Sequence, residues 1–138
     1  MDKPSTVYQA ETMIWMTLLV AAVVSLIDLK SGTIGQGRFM AYLFMYGLFC
    51  IIPYKIGRGS NAARYVYTIL SVIGFLMMLG GVDEGMTRLE RIAGYVMTPL
   101  EVFILYRLFQ PESSQWFNHI LRRQANLLRD VPLSDRAD

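Results

Sequence analysis

Tyr54-Lys55-Ile56-Gly57-Arg58-Gly59-Ser60-Asn61-Ala62-Ala63-Arg64 carries three basic residues and no acid, and it lies between two long apolar runs. Its local chemistry is that of a tight antiparallel turn. Gly57 is expected in the left-handed conformation that closes the helix before it, with Ser60 or Asn61 capping the helix after it. Lys55, Arg58 and Arg64 are expected to set topology and meet lipid headgroups, a dedicated lipid or partner site being the alternative.

The run before this hinge covers residues 39–54, framed by Arg38 and Lys55, and the run after it covers residues 65–82. Two more lie outside them. Residues 12–27 form the first, in a helix expected over 7–29 with Thr6 and Gln9 as its capping box. Residues 92–106 form the last, interrupted by Pro99 and Glu101. Trp15, Tyr42, Tyr54, Tyr65 and Tyr106 fall near run ends, where an aromatic belt would place them.

The chain of 138 residues is 54% hydrophobic and 17% charged, with a mean hydropathy of +0.36. That exceeds what one small water-soluble domain carries. The reading is an all-α integral membrane protein with four transmembrane helices, arranged as two antiparallel hairpins, and a C-terminal cytoplasmic amphipathic helix. Residues 1–110 are assigned to the membrane domain, 111–131 to the amphipathic helix and 132–138 to a disordered tail. The N-terminus lacks the basic start and cleavage site of a secretory signal, so the first run reads as a retained anchor.

Counting Lys and Arg by side gives nine with the hinge and both termini and four on the other side (Lys30, Arg38, Arg88 and Arg91). The hinge and both termini are therefore expected in the cytoplasm. A net charge of +2 does not suggest nucleic-acid binding. One cysteine, Cys50, and one histidine, His119, exclude a disulfide within the chain and ordinary zinc sites. No cofactor is implied. The nine methionines are dispersed, which favours gap-filling over copper binding.

Two motifs are similar to those of a group of small, mostly uncharacterised bacterial inner-membrane proteins with four predicted helices. Gly59-Ser60-Asn61-Ala62-Ala63-Arg64 resembles Gly-x-Asn-Trp-Ala-Arg, with Ala62 where the group has tryptophan. Leu108-Phe109-Gln110-Pro111-Glu112-Ser113-Ser114-Gln115-Trp116-Phe117 resembles Leu-Phe-x-x-x-Ser-x-x-Trp-Phe. The resemblance covers roughly residues 50–118. It implies the four-helix fold and a bacterial cytoplasmic membrane, and it carries no activity with it.

Glu101 is the one acid deep in an apolar run, and with Thr98 it forms a candidate proton or cation site. Glu90, Gly94 and Met97 share its helical face, and Pro99 frees the Tyr95 carbonyl. The alternative is a protonated or hydrogen-bonded Glu101 that only joins helices. Arg107, on another face, is expected to reach the cytoplasmic surface. Thr17, Ala21, Ser25 and Asp28 form a small-residue packing face on the first helix, and Ser71, Gly74, Met78 and Gly81 another on the third. Asp28 is expected to be solvated.

From Trp116 to Val131 the residues sort into two halves at ~100° per residue. Trp116, Phe117, Ile120, Leu121, Leu127, Leu128 and Val131 are opposed by Arg122, Arg123, Arg129 and His119. Ser113 or Ser114 is the expected N-cap. Such a helix lies in the headgroup region or docks on a partner. The function expected is non-enzymatic assembly in the membrane, with lipids around the chain and either a second copy or a protein partner beside it. A small channel or proton-coupled carrier using Glu101 is the alternative, and an immunity-type protein against a membrane-active toxin a further one.

Overall fold

A computed structural model describes residues 2–80 and 85–129, without the side chain of Leu128. Val82, Gly81, Val131 and the tail 132–138 lie outside the described residues. Among the described residues six helices appear, in the order α1 (Ser5–Lys30), α2 (Gln36–Phe49), α3 (Ile51–Gly57), α4 (Asn61–Leu79), α5 (Arg88–Leu108) and α6 (Pro111–Arg129). The described residues contain no strand.

Among the described residues three segments are long and apolar enough to cross a membrane: Ser5–Lys30, Gln36–Gly57 and Asn61–Leu79. The count rises to four if α5 and α6, which meet at 57°, are taken together as one bent span. Large apolar side chains point outward along these helices, including Leu19, Phe44, Ile69 and Leu76. Hydrocarbon suits such a surface, since every backbone polar group within a helix is already bonded.

Local chemistry explains the element ends. Pro53 has no N–H to donate to the Phe49 carbonyl, and the second run accordingly breaks at Cys50 between α2 and α3. α5 instead runs unbroken through Pro99. Its start is fixed by a capping box in which Thr87 accepts from the Glu90 N–H and Glu90 accepts from the Thr87 N–H. Glu90, expected on the face of Glu101, is engaged there.

Several expectations are corrected. α1 starts at Ser5 with Pro4 before it and no side-chain cap, so the Thr6–Gln9 capping box does not form. Gly59, not Gly57, takes the left-handed conformation at the hinge, with φ of +82°. Ser60 caps α4 by accepting from the Ala63 N–H. α6 begins at Pro111, where the missing N–H costs nothing, rather than at a Ser113 or Ser114 cap.

The helices do not pack evenly. α1 packs most extensively along α5 and also touches α2, α3 and α6, whereas α4 meets α5 only lightly. The first helix is thus central and the fourth peripheral. The buried cluster is concentrated at the hinge end: Val7, Ala10 and Ile14 of α1 meet Ile56, Ala63, Ile104, Leu108, Trp116 and Phe117.

Glycines permit this closeness. A Cβ on Gly57 would overlap the Glu11 carboxylate, and one on Gly59 would lie 3.0 Å from Ile120 of α6. Gly59→Ala combines a left-handed backbone with that contact and is expected to destabilise by about 1–2 kcal/mol or more. Gly47→Ala in α2, whose Cβ would meet nothing within 4 Å, is expected to be neutral or slightly stabilising. Thermal unfolding of both variants in nanodiscs checks the contrast, and equal effects would contradict it.

Candidate functional site

Two places hold side chains whose chemistry exceeds packing: a clasp at the hinge end and a cleft halfway along the bundle. The clasp is built on Arg64. Its position at a run end suggested a headgroup contact, yet it is only 5% exposed. Its Nη1 donates to the Leu108 carbonyl at 3.3 Å and to Ser114 Oγ at 3.2 Å. The guanidinium carbon lies 4.6 Å from the Phe109 ring centre, 4.9 Å from Phe117 and 5.2 Å from Tyr65.

Three π faces and two oxygen acceptors thus hold the charge, and among the described residues no carboxylate pairs with it. Arginine suits this role because its planar, weakly hydrated cation stacks on rings. Ser113, fully buried, donates to the Arg107 carbonyl and shares a hydrogen bond of 2.8 Å with Thr6 Oγ1. The two motifs singled out in the sequence therefore form one junction, joined by the start of α1.

This junction also corrects the reading of α6. Trp116 and Phe117, expected at the lipid interface, are 5% and 0% exposed and stack edge to face within the protein. Beyond them Leu121 and Leu127 are exposed, as are Arg122, Arg123, Arg129 and His119. Only the distal part of the helix thus offers an apolar strip and a basic strip to its surroundings. Lys55 and Arg58 remain exposed, Arg58 over the Tyr54 ring. Arg107 is half-buried, over Phe103 and within reach of Gln110.

The opposite end has its own tie. Asp28, expected in solvent, is 4% exposed and accepts from Thr87 Oγ1 at 2.6 Å. Ser25 beside it bonds the Tyr46 hydroxyl at 2.8 Å. Arg38 donates to Tyr42 and the Gly85 carbonyl and lies 3.7 Å from Glu90. These bonds fasten α1 to the start of α5 and to α2.

Between the ends lies a cleft of about 180 Å³ with Glu101 in its wall. Thr17 of α1 and Tyr67 and Ser71 of α4, all hydroxyl-bearing, line it beside Glu101. Ile14, Leu18, Phe49, Ile52 and Leu70 supply apolar walls, and Gly74 leaves room on the α4 side. Among the described residues no lysine or arginine lines it. Thr98, paired with Glu101 in the sequence reading, is not part of this wall: its hydroxyl donates to the Gly94 carbonyl and approaches the Met78 sulfur. Sequence spacing within one helix could not supply the true companions, which come from two other helices.

No family model, curated protein or solved structure matches the chain.

Arg64→Ala removes the cation from the clasp and leaves the rings and the Leu108 carbonyl without their centre. The expected cost is roughly 2–3 kcal/mol of stability. Hydrogen exchange in nanodiscs should show residues 111–120 losing protection while residues 36–49 keep theirs. A uniform change along the chain would argue against a local clasp.

Proposed function

We propose that this chain is a non-enzymatic, multi-pass protein of the bacterial cytoplasmic membrane, working by assembly with copies of itself or as an accessory subunit of a membrane complex. The observation that carries this reading is the state of α4. Apart from Ala63 and Arg64 at its hinge end, no residue of α4 is buried. Ile69, Leu76 and Leu79 are 58%, 60% and 66% exposed. A helix fastened at one end and loosely packed along its length is a natural surface for a partner helix.

The proposed topology has four crossings, with α5 as the fourth and the hinge and both termini in the cytoplasm. At 1.5 Å per residue, the 21 residues of α5 reach about 30 Å, enough for the hydrocarbon core. With Arg64 removed from the count because it is buried, eight Lys and Arg remain on the hinge side against four. Native mass spectrometry of the protein drawn from its own membrane is expected to find a stoichiometric assembly. A monomer alone would refute the proposal.

A second reading, a small channel or proton-coupled carrier, is favoured by the cleft, where Glu101 is joined by three hydroxyls instead of standing as a single polar group. In liposomes, Glu101→Gln is then expected to abolish ion or proton flux. Unchanged flux would remove Glu101 from any pathway.

A further inference from the structure

We propose that the Glu101 cleft binds a small monovalent organic cation, an ammonium group attached to a single ring or a short apolar body. This rests on the second reading only in taking Glu101 as a functional carboxylate. The argument begins with what the cleft can satisfy. Its fixed oxygens are one carboxylate and the hydroxyls of Thr17, Tyr67 and Ser71. The Thr17 proton is already donated to the Ile14 carbonyl at 2.8 Å, so its oxygen can only accept a bond from a ligand. An inorganic cation with an oxygen shell of about six is poorly served by walls that are otherwise aliphatic and aromatic.

An organic ammonium needs less. One carboxylate balances its charge, the rings of Phe49 and Tyr67 attract its diffuse positive face, and the aliphatic walls accept its body. Among the described residues no lysine or arginine lines the cleft to compete for Glu101. The volume agrees with this class: a cavity of ~150 Å³ holds a benzene ring, and the cleft measures about 180 Å³. A neutral apolar guest of the same size would leave the carboxylate without a counter-charge.

The probe is benzylammonium, whose N–H groups Thr17 can accept, titrated calorimetrically into the protein in nanodiscs of zwitterionic lipid. Saturable binding at one site per chain is expected. Glu101→Gln should weaken it more than about tenfold, as loss of a desolvated charge partner does, and Phe49→Leu by about fivefold through the lost ring. Gly74→Leu should abolish it by filling the cleft, and it tests the site independently of the charge. A Cβ at Gly74 meets nothing within 4 Å, so helix content should be unchanged. Absence of saturable binding, or undiminished binding in either Glu101→Gln or Gly74→Leu, would overturn the inference. Binding without Glu101-dependent flux would retain this site and remove the carrier reading; such flux without binding would do the reverse.

Discussion

A guanidinium cannot shed its charge, so burying Arg64 obliges the surrounding chain to supply fixed acceptors and ring faces in the right places. That obligation links segments far apart in sequence. The Leu108 carbonyl is available because α5 ends there and its last carbonyls have no helical partner. Phe109 and Phe117 flank the cation only if the chain turns between α5 and α6. The elbow, the hinge and the start of α1 are thus set by one another, and the 57° bend is part of the solution.

The same arrangement accounts for the open middle of the bundle. α1 is tied at one end to Ser113 of α6 through Thr6, with Ser113 in turn bonded to the Arg107 carbonyl of α5, and at the other end to Thr87, the cap of α5, through Asp28. Two close ties hold that pair in register. α4 is tied through its first turn at the clasp and leans on α5 farther along through Met78 and Thr98. Between these points its small side chains, Ser71 and Gly74, do not fill the space facing Glu101. A polar-lined cleft at this depth follows from where the fasteners are.

Much of this was legible in sequence. Apolar run length is a strong signal in a chain whose backbone must be satisfied internally, and the helices fall where the runs are. The hinge was found, although the choice between Gly57 and Gly59 depends on Glu11 and Ile120, which no local pattern reveals. Arg64 and Asp28 were misplaced for one reason: a charge at a run end ordinarily reaches water, and only partners 44 and 59 residues away show otherwise. The Thr87-x-x-Glu90 cap, which defines the start of α5, was passed over in the sequence, where Glu90 was read only as a neighbour of Glu101. Glu101 stood out because an acid in an apolar run is costly, while Thr17, Tyr67 and Ser71 are ordinary hydroxyls until helices bring them together.

The central place of α1 also bears on biogenesis. α1 is made before the helix it packs on most extensively, α5, with three other helices between them. During synthesis α1 must therefore wait with Thr6 and Asp28 still lacking Ser113 and Thr87, in contact with water or other polar groups. α1 can gather α2 and α3 as they follow it, but its most extensive packing waits until α5 emerges and lies back along it. For α1, translation and consolidation are therefore separated by most of the helices described.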